Sequence, residues 1–229
     1  AITRETEKQT RLHKQMANNR LVIDLARLPE KIKVLFMASS PVDKTQLRLD
    51  EEIRAITEKI RASEHRDSVD LISCWAARPA DFLQALNEHK PHIVHFSGHG
   101  SDDDQLVFQA DDGSSKLVSK QAIVTTISTV SDNIRLVIFN ACFSHTQAGE
   151  VTQHVDVAIG MKSAIGDYAA RIFSAQFYAG IGFGCSVKQA FDQGIAALLL
   201  EGIPEDGIPE LFEREGADSE NIILVRPTT

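Results

Sequence analysis

Two short segments join a run of apolar residues to an abrupt cluster of small and reactive ones: His92-Ile-Val-His95-Phe-Ser97-Gly98-His99-Gly100-Ser101 and Leu136-Val-Ile-Phe-Asn140-Ala141-Cys142-Phe143-Ser144. A thiol beside an imidazole is a nucleophile beside its base. Neutral His accepts the thiol proton, and the thiolate is the reactive form, so His99 and Cys142 could carry out acyl transfer with no cofactor. Gly98 and Gly100 flank the histidine, which predicts a sharp backbone turn and an unobstructed Gly100 N–H. That amide and the Cys142 N–H are the candidate oxyanion hole. For these groups to meet, the two segments must be neighbouring strands ending at the same edge of an open α/β sheet, where ligands bind.

The pattern supplies such a sheet. From Lys31 onward, short apolar runs alternate with segments of helical period, the signature of an α/β fold whose mostly parallel sheet is covered on both faces. About six strands are predicted, at 32–38, 69–75, 92–96, 134–139, 155–161 and 222–225, with a small hairpin (106–108 and 116–118) around Asp111-Asp112-Gly113-Ser114. Leu49, Ile53, Ile56 and Ile60 share one helix face. Pro79 opens the next helix, with Phe82, Leu83 and Leu86 turned inward, and Ile123, Ile127 and Val130 mark a third. Asp167 is placed to cap a helix carrying Ile172, Phe173 and Phe177, and Ser186 one carrying Phe191, Ile195 and Leu198. The acidic stretch 201–216 reads as a Gly- and Pro-bearing loop. Residues 1–28 are charge-dense and predict a solvated helix or linker at the tail of an upstream region, leaving 29–229 as the α/β domain.

Composition narrows the function. The 229 residues carry 24 Lys+Arg against 32 Asp+Glu, a net charge of −8, with 43% hydrophobic residues. A chain of this length buries enough surface to stand without disulfides or metal. Its acidity and lack of basic runs argue against a nucleic-acid partner, and its longest apolar stretches are too short for a membrane span. Three cysteines (Cys74, Cys142, Cys185), an odd number without C-x-x-C spacing, fit a reducing compartment and a cytoplasmic protein.

The His-Phe-Ser-Gly-His99-Gly and Asn140-Ala-Cys142-Phe-Ser pair resembles the caspase-like cysteine peptidases, most closely the bacterial CHAT domains. The resemblance covers roughly 31–225 and extends to Ala158-Ile-Gly-Met161 and to the segment from Asp167 to Tyr178. It implies a three-layer α/β/α sandwich and an endopeptidase in which His99 is the base, Cys142 the nucleophile, and Gly100 and Cys142 the oxyanion donors. It also implies a regulated effector domain of a larger protein in bacterial defence or signalling, whose partners are a protein or peptide substrate and an upstream sensor region or activating complex. The caspase signature Gln-Ala-Cys-x-Gly is not matched: Asn140 and Ser144 stand two residues before and after the cysteine. Cleavage after Asp is therefore not carried over, nor is the preference of metacaspase-like relatives for Arg or Lys, which tend to have an acidic residue where Asn140 stands. Asn140, Lys162 and Asp167 are the substrate-pocket candidates. The short stretch 143–154 leaves little room for a cleavable linker, so activation is expected to need no cut there.

Other clusters read more plainly. His92 and His95 point to opposite faces of a strand and His95 to His99 spans about 13 Å, so the three do not predict a metal site. Asp102-Asp103-Asp104 and Asp111-Asp112 lack EF-hand spacing and read as a solvated hairpin rather than a Ca²⁺ site. Gly98-His99-Gly100 lacks phosphate-loop spacing. His145 is a nearby alternative base best read as a surface residue, and Cys74 and Cys185 read as structural. Two rival functions remain: a caspase-like interaction module with an idle dyad, and a small-molecule thiol hydrolase with a closed pocket.

Overall fold

The computed structural model describes residues 28–101 and 103–226. The charged lead-in read over 1–28, but for its last residue, lies outside the described residues, as does Asp102. The elements run β1 (Ile32–Ser39), α1 (Leu49–Arg61), β2 (Val69–Cys74), α2 (Pro79–His89), β3 (Ile93–Ser101), β4 (Gln105–Gln109), β5 (Ser115–Ser119), α3 (Lys120–Ser128), β6 (Leu136–Asn140), α4 (His145–Val151), β7 (Val157–Met161), α5 (Asp167–Gly182), α6 (Val187–Leu200) and β8 (Pro209–Glu213).

The sheet order is β2-β1-β3-β6-β7-β8, with β4 and β5 branching from the end of β3. Pairing is parallel from β2 through β7, and β8 closes the far edge antiparallel to β7. Strand parity divides the core in two. Ile32, Val34, Phe36, Ile93, Leu136 and Ile138 face α1, α5 and α6, where Phe173, Phe177 and Phe191 pack. Leu35, Met37, Val94, Phe96, Val137 and Phe139 face the other layer, where Phe82 and Leu86 of α2 and Ile123 and Ile127 of α3 are buried. Near-continuous apolar strands such as Val34–Ala38 follow from burial on both faces. This is the expected three-layer sandwich.

Three local expectations are corrected. The last strand is not 222–225 but Pro209–Glu213, inside the stretch read as a loop. Of 222–225, Leu224 and Val225 are buried as a plug beside α6, and only Ile223 forms an isolated bridge, to Ser186. Leu83 is 44% exposed, and Ala85 takes the inward position beside Phe82 and Leu86. Asp167 is the first residue of α5 rather than its cap, a place held by Gly166. Ser186 caps α6 as expected: its Oγ accepts from the Gln189 N–H at 3.2 Å while Gln189 Oε1 accepts from the Ser186 N–H at 3.4 Å. The connection between β6 and β7 holds the short helix α4, which the sequence did not suggest. It fits because Gly160 has no Cβ, which would sit 2.6 Å from the Ser144 carbonyl oxygen and 2.8 Å from Ala148 Cβ. Among the described residues, no helix is long and apolar enough to cross a membrane.

Candidate active site

His99 and Cys142 fall at the ends of adjacent strands near the middle of the sheet. The β3–β6 ladder pairs Ile93 with Leu136 and ends at Ser97 with Asn140. The ladder runs no further: Cys142 lies in the turn after β6, and its backbone packs against Gly100 of β3, the residue next to His99. The seam is tight there. A Cβ on Gly100 would lie 1.9 Å from the Cys142 carbonyl oxygen and 3.3 Å from its nitrogen. The glycines therefore serve close approach, not the sharp turn expected from sequence. β3 continues straight through His99, which pairs with Val107 of β4, and neither Gly98 nor Gly100 has a positive φ. Gly98 makes room for β1, since a Cβ there would meet the Ser39 carbonyl oxygen at 2.6 Å.

The imidazole is oriented from the loop after β1. His99 Nε2 lies 2.8 Å from the Thr45 carbonyl oxygen. A carbonyl only accepts, so Nε2 carries the proton and Nδ1 is left with the lone pair. The hairpin props this loop: Val42 N–H donates to the Gly113 carbonyl at 3.1 Å, and Ser115 Oγ donates to Asp43 Oδ1 at 2.7 Å.

Cys142 is half-buried, with Sγ 3.9 Å from the Ile165 carbonyl oxygen. The next residue, Phe143, has φ +55°, an uncommon conformation for a bulky side chain and one that clusters at functional sites. Its N–H donates to the Ser163 carbonyl at 3.3 Å. Ser144, fully buried, pins the turn by donating to the Phe139 carbonyl at 2.7 Å and accepting from the Met161 N–H at 3.0 Å. Ser144→Ala breaks both bonds and leaves a buried amide unpaired. It is expected to cost about 1–3 kcal/mol in denaturant unfolding and to reduce whatever reaction Cys142 performs.

Directly beneath lies a buried polar network that the sequence reading missed. Glu52 of α1 is 4% exposed and accepts from Ser97 Oγ at 2.5 Å and Asn140 Nδ2 at 2.7 Å. His95 Nε2 is 3.4 Å from Glu52 Oε1, and its Nδ1 is 3.1 Å from the Tyr178 hydroxyl on α5. Desolvation pushes the Glu52 carboxyl up, but His95, Ser97 and Asn140 together outweigh it and hold the group below its ordinary range, so it is ionised. Burial, and next the Glu52 charge, drive Tyr178 well up, keeping the phenol neutral. A signal for Glu52 was present: it lies between Leu49 and Ile56 at helical spacing, on the buried face. Thr45 acts through its backbone and leaves no such trace.

The pocket candidates have different fates. Asn140 is 3% exposed, its amide spent on Glu52 and, at 3.1 Å, on Ser174. Lys162 is exposed and lies 3.5 Å from Glu210. Asp167 follows the loop that runs past the thiol and accepts from the Arg48 N–H at 3.2 Å; burial first, then the Glu52 and Asp50 charges, raise its carboxyl.

The other histidines and acids singled out in the sequence form no second site. His92 Nδ1 accepts from the Lys33 N–H at 2.9 Å. His145 opens α4 half-buried rather than at the surface, its Nδ1 without a partner among the described residues. Asp104 pairs with Lys120, Asp111 with Arg78, and Asp112 accepts from Ser114. Among the described residues no group of three potential ligands could hold a metal ion. Cys74 is pushed up by burial and by Asp81, the reverse of an activated thiol, and Cys185 Sγ lies 3.5 Å from Gln193 Nε2.

A mostly parallel sheet in this order, layered by helices and branching into a hairpin after the central strand, is the caspase-like α/β/α fold of clan CD cysteine peptidases. Among solved structures, the complex of Porphyromonas gingivalis RgpB pro- and mature domains shares the fold with a TM-score of 0.55 at 11% identity, over 91% of this chain and 54% of that one. The model of the CHAT domain matches residues 4–193, and the chain belongs to that family. A probable protease of Gillisia limnaea is 27% identical over 147 residues, which cover 63% of this chain and 26% of the relative. A Roc-COR-CHAT protease of an unknown prokaryotic organism is 24% identical over 182 residues, 76% of this chain and 17% of that protein. The chain thus spans about a quarter or less of the length of these relatives. Both of these relatives carry names that call them proteases.

Proposed function

We propose that the chain is a cysteine endopeptidase whose dyad is His99 and Cys142. The observation that carries the reading is the seam at Gly100: the residue after the imidazole rests on the backbone of the cysteine, just beyond the end of the β3–β6 ladder. His99 Nδ1 takes the thiol proton while Thr45 holds Nε2–H in place. The thiolate attacks the scissile carbonyl carbon, and the developing oxyanion is received by the Gly100 and Cys142 N–H groups. The imidazolium then protonates the leaving amine, and water hydrolyses the thioester. The acyl-enzyme needs no metal and no cofactor. The stretch from Lys162 to Asp167 passes the thiol and is the natural wall of the substrate pocket, whereas Asn140 acts from below it.

The larger setting is a regulated effector domain of a longer bacterial protein, working in the cytoplasm in defence or signalling, with an upstream region or activating complex as partner. The relative named a Roc-COR-CHAT protease supports this, since this chain matches only a small part of it.

The test is cleavage of a diverse peptide library, read by mass spectrometry, by this chain alone and joined to its native upstream region. Cys142→Ala and His99→Ala are each expected to lower cleavage by at least about 10³-fold. A full-length, activated protein that cuts nothing would favour an interaction module instead.

A further inference from the structure

We propose that Glu52 is a positioning residue for the dyad: its buried carboxylate ties Ser97 of β3 to Asn140 of β6 and so fixes the ends of the two strands that carry His99 and Cys142. The inference rests on the peptidase reading and adds to it a residue from outside the sheet.

Ser97 and Asn140 are cross-strand partners and the last pair of the β3–β6 ladder. Beyond them β6 stops, and β3 turns its bonding to β4. The backbone ceases to hold the strands together two residues short of the groups that must stay in register, and there a side chain from α1 takes over. One Glu52 oxygen receives Ser97 Oγ at 2.5 Å, the other Asn140 Nδ2 at 2.7 Å. Ser97 has the parity of His99 along β3, so the clamp lies on the face of the sheet that His99 shares, one step before it. A carboxylate on the inner face of α1, where Leu49, Ile56 and Ile60 are its buried neighbours, is costly compared with another aliphatic residue. Packing alone gives no reason for it.

Two further ties make the clamp stiff. Asn140 Nδ2 also reaches Ser174 Oγ at 3.1 Å, and His95, its Nδ1 3.1 Å from the Tyr178 hydroxyl, brings Nε2 to 3.4 Å from Glu52 without hydrogen-bonding to it, so α5 braces the cluster as well. Glu52 also anchors α1 itself, and the loop entering α1 carries the Thr45 carbonyl that orients His99. One carboxylate therefore governs the spacing of the strand ends and the seat of the helix whose leading loop sets the imidazole. An isosteric carboxamide replaces it poorly: it carries no charge, and its NH2 faces either the Asn140 amide, which breaks that tie, or Ser97, whose hydroxyl must then accept and leaves its own buried proton without the carboxylate.

The experiment compares the parent chain, Glu52→Gln, the double variant Glu52→Gln/Asn140→Asp, and His99→Ala. For each, kcat and KM on a cleaved peptide are measured beside the rate of Cys142 alkylation by iodoacetamide, with thermal unfolding to show that the chain is folded. In Glu52→Gln, kcat is expected to fall about 10- to 100-fold with KM within about threefold, and alkylation to fall towards the His99→Ala rate. The double variant restores a donor at 52 facing an acceptor at 140 and is expected to recover about tenfold of that loss. A folded Glu52→Gln whose kcat and alkylation rate stay within about twofold of the parent overturns the proposal. If Glu52→Gln does not fold, Ser97→Ala is read the same way: a drop of about tenfold supports the clamp, and unchanged rates overturn it. Should the parent cleave no peptide yet alkylate in a His99-dependent manner, the peptidase reading fails alone and alkylation decides the role of Glu52. Alkylation that ignores His99 overturns both.

Discussion

Gly100→Ala is expected to silence the chain as completely as removal of the Cys142 thiol. The added methyl would lie 1.9 Å from the Cys142 carbonyl oxygen, far inside contact distance, and the obstacle is backbone rather than a side chain that could swing away. Relief requires the end of β3 and the turn after β6 to part by more than an ångström at the point where the backbones that carry the proposed base, nucleophile and oxyanion donors pack together. A misplacement of about 1 Å costs roughly 10²-fold, and loss of an oxyanion donor roughly 10²–10³-fold, so peptide turnover should fall at least about 10³-fold. Overpacking should also lower the unfolding free energy by about 1–3 kcal/mol. Gly207→Ala is the matched control. Nothing lies within 4 Å of a Cβ at Gly207 and its φ is ordinary, so turnover and stability should be those of the parent. A folded Gly100→Ala that retains more than about a tenth of parental turnover would show that the seam is not where the chemistry happens.

The segments of the proposed dyad stand out in the sequence because their signal is local: apolar runs of strand length lead into His99-Gly100 and Ala141-Cys142, and the two strands lie side by side as the alternating β and α pattern implies. What supports the dyad could not. Thr45 contributes a carbonyl, which every residue has. Gly98 and Gly100 were recognised as necessary but for the wrong reason, since a glycine that permits a turn and one that admits a neighbouring strand look identical in one dimension. Asn140 was seen beside the cysteine and assigned to the substrate, whereas strand parity points it away from the open edge and towards α1 and α5. The far edge of the sheet misled in both directions. Pro209-Glu-Leu-Phe-Glu213 has Pro and two acids and resembles a loop, yet an antiparallel edge strand tolerates Pro at its first position and charges on its rim. Ile222–Val225 has strand propensity, but its apolar residues are used to seal the core beside α6.

Glu52 is also expected to make the fold sensitive to acid. Truncation by Glu52→Ala leaves the Ser97 hydroxyl, the Asn140 amide and His95 Nε2 facing a void, and breaking a buried ionic cluster in this way costs about 3–5 kcal/mol. Domains of this kind hold only about 5–15 kcal/mol in total, so the variant should unfold at markedly lower urea concentration at pH 7. The pH dependence follows from the direction of the shift. Its folded carboxyl titrates below the ordinary Glu value of 4.5, so the unfolded chain takes up the proton first. The stabilisation is therefore complete above about pH 4.5 and is lost as pH falls through the folded value. Asp167 works in the opposite sense. Burial and the nearby Glu52 and Asp50 charges raise its carboxyl, so at that site the folded state gains the proton more readily and acidification is favourable. The parent should nevertheless lose stability in acid, because Glu52 is fully buried and its partners are fixed, whereas Asp167 is partly open to solvent. Glu52→Gln separates the two effects: it should be less stable than the parent at pH 7 and show a shallower decline between about pH 5 and 3. Urea midpoints measured stepwise over that interval decide the matter, and parallel declines in parent and variant would mean that the acid sensitivity belongs to other carboxylates.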